Sequence, residues 1–348
     1  MKRYTAAVLG GSGFAGAELV RRLLVHPEVE LVRVAAADHV GEPLAAAHPH
    51  LEGASDLRFE NPPPAEAVSG VDVVLMGLPH ATSIELIDAA LERDVRVIDM
   101  SGAFRLKSAE AYQRYYAQAH PRPELLARFV YGLPELNRER IRGARFVASP
   151  GCFATAIVLG LLPLARAGLL VGGIETVGIT GSSGSGVTPS ATTHHPTRAV
   201  NLRSYRPLIH QHTPEIEEAL DAAGAREPKL AFVPVSAPLS RGIFATSFVR
   251  LESSLSEARL REIYVEAYAR EPFVRVPAGR LPEVVAVAGS NYLEASAVAG
   301  PGGLSGLVTA YSAVDNLVKG GAGQAIQNMN LMLGLDERTT LEDRGGYP

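Results

Sequence analysis

Only one of the 348 residues is a cysteine, so no disulfide can form within the chain. That usage fits a reducing compartment, and a cytoplasmic location is expected. No apolar stretch is long enough to span a membrane. The most apolar window, Phe153–Gly173, is interrupted by Pro163 and Arg166 and reads as a buried helix followed by a strand. The apolar residues near the start, Ala6-Ala7-Val8-Leu9, are too few and too closely followed by glycine to form a secretion signal. Positive charge is not in excess: Lys and Arg total 33 against 37 Asp and Glu, a net charge of −4, which argues against a nucleic-acid surface. There is no internal repeat and no long disordered tract. His210-x-His212 has no second ligand cluster at metal-binding spacing, so no metal is expected. What remains is 47% hydrophobic and 20% charged, an ordinary globular composition with length for two domains.

Up to about residue 150, strand and helix patterns alternate. Strands are expected at residues 6–9, 31–36, 71–77 and 95–100, and helices at 17–26 and 81–93. The run Val71–Gly77 is almost wholly apolar, as a central parallel strand is. This predicts a parallel α/β domain of Rossmann type. Beyond residue 152 the texture changes. Strands are expected at 175–180, 230–235, 246–251 and 284–287, and helices at 215–223 and 256–270, which together read as a mostly antiparallel α+β domain. The helical pattern of 315–333 is expected to return to the first domain. The division is therefore 1–150 plus 315–348, and 151–314, with the polar end Glu337–Pro348 expected to fray.

Two features carry chemistry. Gly10-Gly11-Ser12-Gly13-Phe14-Ala15-Gly16 lies between the first strand and the first helix, where glycines let the backbone turn and approach a pyrophosphate seated on a helix N-terminus. A dinucleotide is the expected cofactor. Asp38, at the end of the second strand, favours the free ribose 2′-hydroxyl of NAD(H). The second feature is Cys152, which follows Pro150-Gly151 and opens a helical apolar run. Helix N-terminal N–H groups stabilise a thiolate, the reactive form of cysteine. His210 and His212 are candidate bases for it, with Glu215 as the orienting carboxylate. A second histidine pair stands at His194-His195. Between the thiol and the histidines, Gly181–Gly186 includes Ser183 and Gly184, whose N–H groups are expected to close on an anion or on nicotinamide.

Together these residues resemble the N-acetyl-γ-glutamyl-phosphate reductase family, within the aspartate-semialdehyde dehydrogenase superfamily, over about residues 5–335. The resemblance rests on the glycine loop, His48-Pro49-His50-Leu51, Leu78-Pro79-His80 and Tyr131–Leu136 (YGLPEL). It continues through Pro150–Ala156 (PGCFATA), His210–Ile216 (HQHTPEI), Arg241-Gly242-Ile243 and Asp315–Ala325 (DNLVKGGAGQA). It implies a dinucleotide-binding domain and a catalytic and dimerisation domain of the semialdehyde dehydrogenase type. By position, Cys152 would be the nucleophile, His210 the acid/base, with His212 nearby and Glu215 orienting. Asn316 would meet the nicotinamide end. Ser149, Tyr205, Arg105 and Arg241 would bind the substrate, the guanidinium groups holding carboxylate or phosphate.

The resemblance implies NADP(H), whereas Asp38 favours NAD(H). It also implies a small-molecule acyl phosphate as substrate and a homodimer or homotetramer. The sister reductases of lysine biosynthesis act on an aminoadipyl phosphate held by a small carrier protein, and Thr192–Arg198 (TTHHPTR) is similar to their HHPER stretch. No basic docking surface for such a carrier is obvious. A non-catalytic dinucleotide-binding regulator is the alternative from another class, and the combination of Cys152, His210 and Glu215 argues against it.

Overall fold

The computed structural model describes residues 3–346. In chain order its elements begin with β1 (Tyr4–Leu9), α1 (Phe14–Leu24), β2 (Val29–Ala35), β3 (Phe59–Glu60), α2 (Pro64–Ala67), β4 (Val73–Met76), α3 (His80–Leu91), β5 (Arg96–Asp99), α4 (Ala109–Tyr116), β6 (Val130–Tyr131), α5 (Pro134–Arg142) and β7 (Phe146–Ala148). They continue with α6 (Cys152–Arg166), β8 (Val171–Thr180), α7 (His195–Arg198), β9 (Arg203–Ser204), α8 (Thr213–Ala222), β10 (Arg226–Ser236), β11 (Ile243–Arg250), α9 (Glu257–Tyr268), β12 (Val274–Arg275), β13 (Leu293–Ala299), β14 (Leu307–Val314) and α10 (Gly323–Met332). The chain forms two compact units. One holds residues up to Glu110, Ala119–Gly151 and Gly321–Asp343; the other holds Ala111–Gln118, Cys152–Gly320 and the residues from Arg344.

The first unit is built on a parallel sheet of strand order β3-β2-β1-β4-β5-β7-β6. The direction of strand addition reverses beside β1, and the crevice at such a switch point is where open α/β sheets bind ligands. Strand β4 (VVLM) is wholly buried, which explains its unbroken apolar pattern. The core joins Leu9, Val74, Met76, Ile87 and Val97 to an aromatic group in which Phe104 stacks on Phe129 at 4.1 Å. The end of the chain is held rather than frayed. Arg138 pairs with Glu337 at 2.9 Å, Leu341 is fully buried, and Arg22 reaches Asp343 at 2.8 Å and the Thr340 carbonyl at 2.6 Å. The polarity of this segment reflects ion pairing; Tyr347 and Pro348 lie outside the described residues.

In the second unit the sheet order is β12-β13-β14-β11-β8-β10-β9. Four of its neighbouring pairs are antiparallel and two, β10–β8 and β12–β13, are parallel. Helix α6 is buried along almost its whole length and continues through Pro163. A proline in a helix cannot donate to the carbonyl four residues back, here that of Leu159. The Tyr268 hydroxyl donates to that carbonyl instead, and the Tyr264 hydroxyl donates to the Gly160 carbonyl at 2.6 Å. Two aromatic hydroxyls from α9 thus keep the helix that starts at Cys152 intact. The expected strand at Val284–Val287 is instead a 3-10 turn, Val284–Ala286. Its N–H groups bond locally, Ala286 to Glu283 and Val287 to Val284, and only Val287 of the four apolar residues is buried.

Candidate active site

The glycine loop in the first unit is shaped by close backbone contacts. Gly10 has φ +83°, and a Cβ there would lie 2.3 Å from the Gly77 carbonyl oxygen. A Cβ on Gly16 would lie 2.4 Å from the Gly11 carbonyl oxygen. The Gly10 and Gly11 N–H groups both donate to the Ala35 carbonyl at 2.9 Å, which ties the loop to the end of β2. Gly13 precedes α1 without capping it through a side chain, so the first-turn N–H groups remain available to an anion. The Ser12 hydroxyl donates to Asp38 at 2.6 Å, and this bond is the main reason the exposed Asp38 carboxyl sits below its ordinary range. His48 is buried, with Nε2 at 2.7 Å from the Gly11 carbonyl oxygen, bracing the loop from the segment after β2. These features fit the pyrophosphate and ribose of a dinucleotide.

The thiol cluster lies in the second unit. Cys152 is the first residue of α6 and is half-buried. Gly320 backs it: a Cβ at 320 would stand 3.0 Å from the Cys152 Cβ. The next side chain, Phe153, meets the rings of His210 and His212 edge-on, at 5.7 Å and 6.3 Å between centroids. The two histidine rings are 4.7 Å apart, and His210 also touches Tyr205 at 5.7 Å and Phe232 at 5.3 Å. The His212 N–H donates to Nδ1 of His210 at 3.2 Å, so a neutral His210 ring carries its proton on Nε2. Burial, followed by the charge of Arg206, lowers His210 to about 4, and the ring is therefore neutral at pH 7. His212 caps α8, and Glu215 lies in its first turn, 1% exposed. Burial and the charge of Cys152 hold Tyr205 as the phenol.

Asn316 joins the glycine-serine loop. Its Oδ1 accepts from the Gly242 N–H at 2.7 Å, its Nδ2 donates to the Ser183 hydroxyl at 3.0 Å, and a Cβ on Gly184 would be 3.7 Å from that Nδ2. Beside it, Arg241 pairs with Asp315 at 3.1 Å and keeps 31% of its side chain exposed. Asp315 also accepts from the N–H groups of Gly289, Leu317 and Val318. Of the residues expected from sequence, Cys152, Tyr205, His210 and His212 share one neighbourhood, and Glu215 follows them, buried, in the first turn of α8. Ser183, Gly184 and Asn316 form a second, close to Arg241 through Gly242.

Arg105 and Ser149 belong to the first unit. The Arg105 guanidinium donates to the backbone carbonyls of Ser149 at 2.8 Å and Met100 at 2.6 Å, holding the strand end before the thiol segment. The Ser149 hydroxyl is buried with no hydrogen-bond partner. His194 and His195 are exposed around the start of α7 and lie outside the thiol cluster. Sequence reasoning missed Phe153, Phe232, His48 and Gly320. The signal for His48 was present in its motif, but nothing local tells which carbonyl a histidine will meet. Among the described residues no group of three His, Cys, Asp or Glu side chains could hold a metal, and no helix is long and apolar enough to cross a membrane.

Residues 5–144 match the NAD binding domain model of semialdehyde dehydrogenases, and residues 152–316 match the semialdehyde dehydrogenase dimerisation domain model. The chain is 43% identical to an N-acetyl-gamma-glutamyl-phosphate reductase of Desulforudis audaxviator, over 98% of this chain and 99% of the relative. It is also 43% identical to a protein of Thermomicrobium roseum named as a LysW-L-2-aminoadipate 6-phosphate reductase, over 99% of each. Among solved structures, aspartate semialdehyde dehydrogenase II of Vibrio cholerae, complexed with ASA, superposes with TM-score 0.72 at 16% identity, covering 96% of this chain and 99% of that one. The aspartate semialdehyde dehydrogenase of Candida albicans with NADP gives 0.69 at 16%, covering 95% and 98%. At such identities the structures attest the fold alone.

Proposed function

The chain belongs to the semialdehyde dehydrogenase family, and on that premise we propose that it reduces N-acetyl-γ-glutamyl phosphate to N-acetylglutamate 5-semialdehyde and inorganic phosphate. The observation that carries the reading is the half-buried thiol at the head of α6, whose next residue, Phe153, packs on a histidine kept neutral by burial. His210 takes the thiol proton at Nδ1, its one unprotonated nitrogen, which gives up the hydrogen bond from the His212 N–H. The Cys152 sulfur attacks the acyl-phosphate carbonyl carbon, the tetrahedral oxyanion collapses, the C–O bond to phosphate breaks, and a thioester remains. His210 returns its proton to the departing phosphate. The chemistry that a bound reduced nicotinamide supplies is a hydride, and the thioester carbon accepts it because a thioester is far more electrophilic than a carboxylate. Breaking the C–S bond of the resulting thiohemiacetal releases the aldehyde and restores the thiolate, which regains a proton through His210. Tyr205, held as the phenol, and Arg241 are assigned to the substrate, and Ser183, Gly184 and Asn316 to the nicotinamide end.

The dinucleotide's pyrophosphate is assigned to the loop Gly10–Gly16. The family resemblance favours NADP(H). Against it, the exposed Asp38 carboxylate, oriented by its bond from Ser12, accepts from a free ribose 2′-hydroxyl and repels a 2′-phosphate, so we assign NAD(H). Replacing Asp38 with Ser is expected to move the ratio of kcat/KM for NADPH over NADH upward by about tenfold or more, the scale of one charged hydrogen bond. Steady-state kinetics with both cofactors checks this.

A homodimer or homotetramer is proposed. Strand alternation puts Val177 and Phe248, 39% and 38% exposed, on the sheet face opposite α6, where a second copy would cover them. The need for a reduced thiol supports a cytoplasmic location. A second substrate reading, an aminoadipyl phosphate on a carrier protein, is favoured by the Thr192–Arg198 stretch and by the T. roseum relative. The test is the reverse reaction with inorganic phosphate and NAD or NADP. N-acetylglutamate 5-semialdehyde is expected to be oxidised at least tenfold more efficiently than a carrier-linked aminoadipate semialdehyde. The opposite order would move the assignment to the carrier-linked substrate, and inertness towards both would reject the function.

A further inference from the structure

From Thr176 to Pro214 the chain contains no Asp or Glu, yet it carries Arg198, Arg203 and Arg206. Two of these line a cavity of about 160 Å³, together with Ala191, Thr192, Thr197 and Asn201. With liquid water occupying about 30 Å³ per molecule, that volume accommodates a tetrahedral oxyanion. Arg198 is only 8% exposed. Its guanidinium donates to the Ser236 hydroxyl and, at 3.5 Å, to the Thr180 carbonyl, while its buried Nε has no hydrogen-bond partner. No carboxylate pairs with Arg198 among the described residues. Arg203 enters from β9, opposite Ser236 in the sheet register, and is exposed.

A guanidinium buried beside a second one, without a counter-charge, is costly to maintain. Burial and the charge of Arg203 both pull Arg198 downward, yet a group with so high an intrinsic pKa stays cationic. The cavity therefore has two cations, threonine hydroxyls and an amide, and no acid to neutralise them. The stretch it resembles has Glu where this chain has Thr197, so even the adjacent carboxylate is missing. The cavity also leads to the thiol cluster: Tyr205, two residues beyond Arg203, meets the His210 ring at 5.7 Å between centroids.

We propose that the Arg198–Arg203 cavity is a phosphate subsite, taking the phosphoryl end of the acyl phosphate and then the inorganic phosphate that leaves. The assignment of that phosphate to the substrate rests on the function proposed above; the anion cavity itself does not. Two measurements separate them. The first is direct titration of the whole enzyme with inorganic phosphate, followed by calorimetry. The second is the KM for phosphate in the reverse reaction. Arg203→Gln, at an exposed position, and Arg198→Met are each expected to weaken phosphate binding and raise its KM by roughly 10- to 100-fold, the scale of a charge-assisted hydrogen bond. The KM values for semialdehyde and dinucleotide should stay within about twofold, and Arg198→Lys should recover part of the loss, which a purely structural defect would not allow. Phosphate affinity unchanged in Arg203→Gln and Arg198→Met would overturn the site. Weakened direct binding with an unchanged phosphate KM would overturn its assignment to the substrate. If the wild type oxidises no semialdehyde, the functional reading fails while the calorimetry still decides the cavity.

Discussion

Replacing Cys152 with alanine is expected to lower acyl-phosphate reduction by at least about 10³-fold, the scale seen when a covalent nucleophile is lost, with dinucleotide affinity unchanged. The thiol is the first residue of a 15-residue helix whose other residues, Arg166 excepted, are buried, and the Tyr268 hydroxyl of α9 replaces the hydrogen bond that Pro163 removes. A cysteine buried only for packing would be placed mid-helix, where most of α6 is covered. This one lies at the end where N–H groups face outward and where the partial positive charge of the helix favours an anion. Gly320 matters for the same reason, since any side chain there would press on the Cys152 Cβ. Rapid-quench and steady-state assays of Cys152→Ala, with dinucleotide binding measured by fluorescence, check the expectation. Turnover near the wild-type rate would end the thioester scheme.

Replacing His210 with Asn should cost about 10²- to 10⁴-fold in kcat, the usual contribution of a positioned acid/base. Its pH profile should be equally informative. An ordinary histidine titrates near 6.5, but burial among Phe153, Phe232 and Tyr205 brings His210 to about 4. The base therefore stays neutral through the range in which an exposed imidazole would be charged. The acid limb of kcat/KM should fall near pH 4 to 5 in the wild type and disappear in His210→Asn. The same depression has a stability consequence. A folded-state pKa below the unfolded value adds stability that is complete above about pH 6.5 and is lost as the pH falls through about 4. For a shift of this size the difference is on the order of 3 kcal/mol. Denaturant titrations between pH 4 and 7 should show that loss in the wild type and much less of it in His210→Asn. An acid limb at 6.5 would show that the ring is solvated and unlike the buried group described above.

What the sequence disclosed depended on how local the cause was. The glycine loop was legible because strand, turn and helix lie within 24 residues, and Gly10 and Gly16 answer to close backbone contacts. Cys152 was legible as a helix start because Pro150-Gly151 precedes an apolar run. Strands β13 and β14 (LEASAVA and LVTAYSAV) were not legible. They are rich in Ala and Ser, alternate weakly, and become strands only by pairing with each other and with β11. The run Val284–Val287 misled in the opposite sense, its β-branched residues closing a half-buried turn whose N–H groups bond locally. The grouping of Tyr205, His210 and His212 around Phe153 depends on a sheet crossing that no spacing rule encodes. The same holds for the cavity of Arg198 and Arg203. The sequence offered no obvious basic surface because its cations are offset by acids elsewhere in the chain, and the acid-free stretch matters only once the fold collects it.

The account depends above all on a covalent bond to one sulfur. Enzyme mixed with N-acetyl-γ-glutamyl phosphate in the absence of reduced dinucleotide, quenched in acid, digested and examined by mass spectrometry should carry the acyl group on the peptide containing Cys152 and on no other. Addition of NADH before the quench should discharge it as aldehyde. An unmodified Cys152 peptide, with the acyl group absent or on a different residue, would contradict the proposed chemistry.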